Sequence, residues 1–276
     1  MLTEEEFRLF RNLIYRESGI YLKETKKDFL EHRVAKRMQE TRAGSPYWYY
    51  KLVTAGQSAE LALLLDLMTV NETSFFRNRP QIELFRNIVL SDLAARKQAE
   101  AVKRLRIWSA GCSTGEEPYT IAMVVRDELL GRAPWDVKIF ASDLSLKALQ
   151  AAHRAEYAMD KVMATVDDSV IARHFTKSNG TAKVNDDIKN MVVFDYHNLK
   201  NDNGLRDLDV IFCRNVMIYF DLEEQKRLVA KFYQSLNPGG YLLIGHAESL
   251  QGWDTKFRFL YHQGGTAYRK PDSEEL

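Results

Sequence analysis

The sequence predicts an α/β protein with a doubly wound, mostly parallel sheet, preceded by a small all-α unit. From residue 104 onward, short apolar runs alternate with helical segments, as expected of a parallel sheet covered on both faces. The first hundred residues show helical patterns only. Near the end, two runs that flank Gly264-Gly265 have the pattern of an antiparallel hairpin.

The all-α unit is predicted from helix periodicity and end signals. Phe7, Phe10 and Ile14 recur on one face of a first helix, which Thr3 caps and Gly19 ends. A second helix from about residue 26 to 41 has a basic face. This face comprises Lys26, Lys27, Arg33, Lys36, Arg37 and Arg42. It can serve solubility alone, or it can dock an acidic partner.

The strands of the main sheet are predicted from five apolar runs. These are Leu105–Ala110, Val137–Ser142, Met191–Phe194, Asp209–Cys213 and Tyr241–Gly245. A hairpin of Lys256–Tyr261 and Thr266–Arg269 follows them. The interval between His153 and Asn190 is too long for an ordinary loop. We therefore expect a small inserted β subdomain there, with a helix near 169–174 and strands beside an Asn179-Gly180 turn.

Composition narrows the classes of function. The 276 residues are 45% hydrophobic and 28% charged, with a net charge of +1, which argues against a nonspecific nucleic-acid binder. No apolar run approaches the roughly 20 residues that cross a bilayer, and the acidic start is unlike a signal peptide. Cys112 and Cys213, the only cysteines, lack metal-ligand spacing, so we expect no metal and a reducing, cytoplasmic setting.

The stretch from Arg104 to Val125 has the pattern of a ligand cradle. A predicted strand leads into the small-residue loop 110–115, and Glu116-Glu117-Pro118 opens a helix. A strand, a tight loop and a helix N-terminus together can bind a nucleotide-type ligand. An ordinary tight turn between strand and helix has the same pattern, so the loop alone leaves both readings open.

The charge of this cradle favours a cationic ligand. A phosphate site requires bare amides and a lysine, whereas this loop carries Glu116 and Glu117 and no basic residue. S-adenosylmethionine carries a sulfonium, an ammonium and only one carboxylate. We therefore interpret the stretch as a methyl-donor site rather than an NAD or ATP site.

Polar residues follow the predicted parallel strands at the ends where ligands bind in such sheets. They are Gly111, Gly115 and Glu117 after the first strand, Asp143 after the second, Asp195, His197 and Asn198 after the third, and the segment 214–221 after the fourth. Asp143 can accept the hydroxyls of a ribose, or it can cap the next helix. Asn198 can equally be a turn residue.

Several longer motifs carry a resemblance to a known family. They are Asn71–Arg77 (NETSFFR), Ser113–Tyr119 (STGEEPY), Ala141–Asp143 (ASD) and Ile211–Asp221 (IFCRNVMIYFD). With these motifs the chain resembles, over nearly its whole length, the CheR family of chemotaxis receptor (protein-glutamate) O-methyltransferases. The turn Asn237-Pro238-Gly239-Gly240 and the closing hairpin also resemble those of S-adenosylmethionine-dependent methyltransferases.

The resemblance implies a seven-stranded class I methyltransferase sheet. We expect an N-terminal helical domain with linker over 1–88 and a methyltransferase domain over 89–276, which carries the inserted subdomain at 154–190. The implied reaction is methyl transfer from S-adenosylmethionine to glutamate side chains on the cytoplasmic helices of chemoreceptors, with S-adenosylhomocysteine as product.

The family pattern, carried over position by position, implies the cofactor site. Its residues are Asn71, Thr73, Arg77, Gly111, Glu117, Asp143, Asn198, Leu199, Asn215 and Val216. The linker residues would close over the cofactor, Glu117 would meet the methionine ammonium and Asp143 would hold the ribose. Arg77 and Tyr219 are the catalytic candidates, which would orient the substrate carboxylate.

The implied chemistry needs little acid–base help. A glutamate with a pKa of about 4.3 is ionised at neutral pH, so in-line alignment is the remaining requirement, and we assign no histidine as base. Arg33, Lys36 and Arg37 are the expected docking residues for the acidic receptor helices. The region 176–187 is short, so we do not expect tethering by a receptor C-terminal peptide. A monomer is expected.

Two alternatives remain at this stage. The chain can be a catalytically silent module that binds S-adenosylmethionine in signalling. Such a module has no need of all of the residues Asn71, Arg77, Glu117, Asp143 and Tyr219, which argues against this alternative. It can also be a methyltransferase that acts on nucleic acid. The net charge and the lack of a proline-rich motif after the fourth strand argue against the latter.

Overall fold

The computed structural model describes residues 2–55, 59–129 and 134–272. The N-terminal helices are α1 (Glu4–Ser18), α2 (Lys27–Thr41), α3 (Pro46–Thr54) and α4 (Ala59–Met68). As predicted, Thr3 caps the start of α1, where it forms a reciprocal capping box with Glu6, and Gly19 ends the helix in the left-handed conformation. Phe7, Phe10 and Ile14 are buried in the core of this unit.

A longer helix then leads to the sheet. It comprises α5 (Arg79–Leu84), a π-helical turn (Phe85–Val89) and α6 (Leu90–Arg96). The remaining helices are α7 (Glu116–Leu129), α8 (Leu146–Arg154), α9 (Met159–Met163), α10 (Asp168–His174), α11 (Asp186–Lys189) and α12 (Leu222–Ser235).

The strands form two sheets. They are β1 (Lys103–Ala110), β2 (Trp135–Asp143), β3 (Glu156–Ala158), β4 (Phe175–Ser178), β5 (Thr181–Val184), β6 (Val192–Tyr196), β7 (Leu208–Cys213), β8 (Leu236–Ile244), β9 (Arg258–His262) and β10 (Gly265–Arg269). The main sheet has seven strands in the order β6-β2-β1-β7-β8-β10-β9, and its strand pairs are parallel except β8–β10 and β10–β9, which are antiparallel. The predicted doubly wound, mostly parallel sheet is therefore confirmed.

The second sheet lies in the inserted segment. It is antiparallel, in the order β3-β5-β4, and β4 and β5 are joined through Asn179 and Gly180, both with positive φ. The predicted helix is present as α10. Strands and helix thus occur where the sequence predicted a small β subdomain.

Apolar side chains cover both faces of the main sheet. On β1, Leu105 and Ile107 belong to one core, whereas Trp108 and Ala110 belong to the core on the opposite face. The two-residue period of a strand produces this division. Burial on both faces explains why the parallel strands appear in the sequence as nearly continuous apolar runs.

The helical domain docks on the carboxyl edge of this sheet through the end of α1. The Lys200 ammonium donates to the carbonyls of Tyr15 and Arg16, and the Asn198 amide donates to the carbonyl of Glu17 at 2.6 Å. The carbonyls of the last turn of a helix lack the full set of partners within it, and here only that of Tyr15 also accepts from a cap N–H, that of Gly19. The loop after β6 therefore satisfies the end of α1 and holds the helical domain above the sheet.

Candidate functional site

A cleft lies between the carboxyl edge of the sheet and the helical domain. Its empty volume is about 940 Å³, including its open mouth. The structure brings the predicted cofactor and catalytic residues together in its lining. These are Asn71, Thr73, Arg77, Gly111, Glu117, Asp143, Asn198, Leu199, Asn215, Val216 and Tyr219. Arg33, Lys36 and Arg37 lie on α2 and do not contribute to this lining.

The loop after β1 is shaped by a close approach to the loop after β7. Gly111 has a φ of +85°, and a Cβ built on it would lie 2.4 Å from a methyl carbon of Val216. Its N–H donates to the carbonyl of Ser142 at 2.8 Å. Only glycine can occupy this position without displacing Val216, so the two loops define the floor of the cleft together.

Glu117 is a buried carboxylate in the first turn of α7. One carboxylate oxygen accepts from the Ser109 hydroxyl at 2.8 Å, and the other lies 3.3 Å from a guanidinium nitrogen of Arg214. Burial raises the pKa of Glu117, and the charge of Arg214 opposes this rise. The cleft thus holds a carboxylate and a guanidinium side by side.

Arg214 is a site residue to which the sequence analysis gave no role. It is 7% exposed, and its other terminal nitrogen donates to the backbone carbonyl of Arg77. Its Nε is buried without a hydrogen-bond partner among the described residues. Arg214 directly follows β7 and lies within the motif Ile211–Asp221. Its place at a strand end could therefore have marked it as a site residue from the sequence alone.

Asp143 ends β2 and accepts two backbone amides. Its oxygens receive the N–H groups of Ser113 and Ser145, each at 2.8 Å. Burial raises the pKa of Asp143, and these amide hydrogen bonds oppose the rise. One amide on each oxygen leaves acceptor capacity on both. The cap of α8 is Ser145, so the alternative role of Asp143 as a helix cap is wrong.

Asn198 uses its side chain for structure. Its carbonyl oxygen accepts from the N–H of Lys200 at 3.0 Å, while its NH₂ donates to Glu17. The turn alternative is therefore correct for this side chain, even though the residue also lines the cleft with Leu199.

The linker crosses the mouth of the cleft without forming a helix. Residues 69–74 have no regular structure, and a turn follows at Phe75 and Phe76. Asn71 donates to the Ser145 hydroxyl at 3.3 Å, and Arg77 donates to the carbonyl of Glu72 at 2.9 Å. These contacts hold the linker between the two domains.

Tyr219 ends a single 3₁₀ turn after β7 and is half-buried. Burial raises the pKa of Tyr219, and the nearby charge of Arg77 opposes this rise. Its phenol is therefore protonated at neutral pH and can donate a hydrogen bond. A phenol and a guanidinium close together suit a carboxylate.

Glu248 is a second residue that the sequence analysis missed. Its carboxylate accepts the N–H groups of Asn215, Val216 and Ile218 at 3.0 to 3.2 Å, and also that of Gly245. It thereby fixes the loop that carries Val216 and Tyr219. Glu248 follows β8, so applying the strand-end rule to the fifth parallel strand would have found it.

The cleft fits S-adenosylmethionine by its own chemistry. The Glu117–Arg214 pair offers one group of each sign to the ammonium and the carboxylate of an amino-acid end, and the Nε of Arg214 lacks a partner among the described residues. Asp143 offers acceptors for a ribose. The described ranges contain no group of three metal-ligating side chains and no helix long and apolar enough to span a membrane. Sheet order and cleft together define a class I S-adenosylmethionine-dependent methyltransferase.

Comparison with known proteins identifies the family. Residues 5–69 match the all-alpha domain of CheR methyltransferase, and residues 71–265 match its SAM binding domain. The chain therefore belongs to the CheR methyltransferase family, as its motifs predicted, and its cofactor is S-adenosylmethionine.

Relatives are similar over nearly the whole chain. Chemotaxis protein methyltransferase 2 of Vibrio cholerae is 34% identical, and the match covers 98% of this chain and 94% of the length of that relative. Chemotaxis protein methyltransferase of Salmonella typhimurium is 34% identical, covering 97% and 90%. Chemotaxis protein methyltransferase 2 of Pseudomonas aeruginosa is 36% identical, covering 90% and 87%. Among solved structures, a DhpI–SAH complex has a TM-score of 0.34 at 12% identity, covering 72% of this chain and 82% of that one.

Replacing Glu117 by glutamine tests its role toward the ammonium. The change keeps the shape and the acceptor for Ser109 but removes the charge. We expect S-adenosylhomocysteine to bind about ten- to a hundredfold more weakly by calorimetry, because a charged hydrogen bond contributes roughly 1.5–3 kcal/mol.

Glu116→Gln is the matched control. Glu116 is the neighbouring carboxylate, is bonded to the Thr114 hydroxyl at 2.7 Å and does not line the cleft. Its replacement should leave the affinity nearly unchanged. Equal losses in both variants, or no loss in Glu117→Gln, would remove Glu117 from the ammonium site.

Proposed function

We propose that this protein is a protein-glutamate O-methyltransferase that modifies the cytoplasmic helices of chemoreceptors in the adaptation of chemotaxis-type signalling. The observation that carries the proposal is the presence of two suitable donors in the lining of the cleft. Arg77 and Tyr219, two donors suited to a carboxylate, lie beside a cleft that fits the methyl donor. The chemotaxis methyltransferase relatives support the receptor as substrate.

The chain's own residues then have few tasks. When bound, S-adenosylmethionine supplies a methyl group on a sulfonium, which is a good leaving group. A glutamate side chain is already ionised at neutral pH, so no base is needed. Arg77 and Tyr219 hold its carboxylate in one plane, and this orientation is the main contribution of the protein. His197 lines the cleft, and burial lowers its pKa. Its imidazole is therefore neutral at neutral pH.

The proposal is tested by incubating the protein with methyl-labelled S-adenosylmethionine and a receptor cytoplasmic fragment. We expect label that is released by base, because methyl esters hydrolyse and N-methyl groups do not. A fragment whose candidate glutamates are changed to glutamine should not be labelled. Base-stable label would contradict the ester, and tight S-adenosylhomocysteine binding with no label would favour the silent signalling module.

Arg77→Ala separates substrate positioning from cofactor binding. We expect kcat on the receptor fragment to fall roughly a hundredfold, since misplaced reactants lose rate on this scale. The Kd for S-adenosylhomocysteine should change several-fold at most, because Glu117 and Asp143 remain. Arg126→Ala is the control, since Arg126 pairs with Asp187 away from the cleft. Unchanged kcat in Arg77→Ala would refute the positioning role.

We also propose that the acidic receptor helix docks on the basic face of α2. Two of the three predicted residues have partners within the helical domain. Arg33 lies over the Phe29 ring at 3.4 Å and donates to the Leu67 carbonyl, while Arg37 forms a bidentate pair with Glu60. Lys36 is exposed on the same helix. In this proposal Lys36 is the charge that contacts the receptor most directly.

Lys36→Glu is therefore the variant that tests docking without disturbing the helical core. We expect the KM for the receptor fragment to rise and to depend less on salt concentration than in the wild-type protein, while the thermal stability stays unchanged. Lys256→Glu, an exposed lysine before β9, should leave KM unchanged. If the two variants behave alike, the basic face serves solubility.

The remaining parts of the proposal concern assembly and setting. We propose a monomer that acts in the cytoplasm, where its buried thiols Cys112 and Cys213 stay free. Since Asn179 and Gly180 alone join β4 to β5, the hairpin presents no long loop. This supports a reaction without tethering by a receptor C-terminal peptide.

A further inference from the structure

The linker beside Arg77 is anchored on the inserted subdomain through Phe75. This residue is 2% exposed, and its ring centroid lies 4.9 Å from that of Tyr157 and 5.2 Å from that of Phe175. Both contacts are edge-to-face. Tyr157 lies on β3 and Phe175 on β4, so one linker side chain is held by both outer strands of the small sheet.

A second anchor lies on the other side of Arg77. The Arg79 guanidinium donates to the Asp167 carboxylate at 2.9 and 3.3 Å and to the carbonyl of Thr165 at 3.0 Å. Asp167 and Thr165 both belong to the inserted segment. Arg77 therefore lies between two points at which the linker is fixed to the subdomain.

Tyr157 also contacts the cofactor loop. Its hydroxyl donates to the carbonyl of Thr114 at 2.8 Å, and a Cβ on Gly115 would lie 3.0 Å from the same hydroxyl. The ring that holds Phe75 thus supports the loop that leads into Glu117. The subdomain reaches both the linker and the cofactor loop through this side chain.

The chain between Phe75 and Arg77 is too short and too constrained to absorb a displacement. Phe76 has a φ of +51°, and its N–H donates to the Thr120 hydroxyl at 3.1 Å. The carbonyl of Arg77 accepts from Arg214. A shift of Phe75 must therefore move Arg77 or break one of these bonds.

We propose that the inserted subdomain is a positioning element for methyl transfer, in which the packing of Phe75 against Tyr157 and Phe175 sets the place of Arg77. Phe75 is then a positioning residue that acts through Arg77. The inference rests on the proposed function, since it concerns the residue that orients the substrate carboxylate. It gives the subdomain a role that requires no receptor peptide.

Phe75→Leu tests the inference against a matched core variant, Phe85→Leu. Phe85 is 0% exposed and meets Phe212 edge-to-face at 5.0 Å, so both changes remove one ring from a similar buried contact. Both should lower the melting temperature comparably. We expect Phe75→Leu to lower kcat on the receptor fragment roughly ten- to a hundredfold, with a smaller change in S-adenosylhomocysteine affinity, whereas Phe85→Leu should keep kcat within about twofold.

Tyr157→Phe provides the conservative variant, because it keeps the ring against Phe75 and removes only the bond to Thr114. It should retain kcat at saturating S-adenosylmethionine and bind the cofactor product several-fold more weakly. Equal kcat losses in Phe75→Leu and Phe85→Leu, or a kcat loss in Tyr157→Phe as large as that in Phe75→Leu, would overturn the inference. A wild-type protein that methylates no receptor fragment would instead overturn the proposed function, and that result is read from the wild-type arm alone.

Discussion

The ion pair between Glu117 and Arg214 is the interaction on which the site depends. Removing two charges from water costs several kcal/mol per ion, and their attraction offsets this only when further hydrogen bonds are present. Here the Ser109 hydroxyl donates to Glu117, and Arg214 donates to the carbonyl of Arg77. The pair therefore joins β1, α7, the end of β7 and the interdomain linker at one buried point.

The rest of the cleft follows from this junction. The linker is held over the sheet because the buried Arg214 guanidinium donates to its Arg77 carbonyl. The loop after β7 is held in turn by Glu248, whose carboxylate accepts the backbone N–H groups of Asn215, Val216 and Ile218. That loop places Val216 against Gly111 at a distance that excludes any side chain there. Polar contacts of the backbone thus shape a cleft whose walls are mostly loop.

The sequence predicted the parts of the fold that local patterns determine. Five strands of the main sheet were predicted as apolar runs, because burial on both faces leaves no polar alternation, and the last two were predicted as a hairpin around Gly264-Gly265. The topology rule placed Glu117 and Asp143 at one edge. Partners far along the chain were not predictable in this way. Glu117 and Arg214 are 97 residues apart, and Glu248 lies 33 residues beyond Asn215.

The basic face of α2 also shows what a local sequence pattern cannot predict. A helical pattern indicates which residues share a face but not what packs against it. Arg37 pairs with Glu60 of α4, and Arg33 donates to the carbonyl of Leu67. Asn198 likewise looked like a ligand from its place at a strand end, yet its amide closes its own turn and satisfies the end of α1. The sequence thus predicts where such a residue lies but not which partner its side chain binds.

The charges of the cleft favour a methyl donor over a phosphorylated ligand. The sequence predicted a cradle with two glutamates and no basic residue, but Glu116 is bonded to Thr114 and does not line the cleft, and Arg214 enters the cleft after β7. Two buried carboxylates disfavour a pyrophosphate instead: Glu117 in the first turn of α7 and Asp143 at the end of β2, with Arg214 paired to Glu117. Two phosphates placed there would meet repulsion that a low-dielectric site screens poorly. An amino-acid zwitterion would instead meet one group of each sign, Glu117 for its ammonium and Arg214 for its carboxylate. The same Arg214 side chain holds the linker through the carbonyl of Arg77.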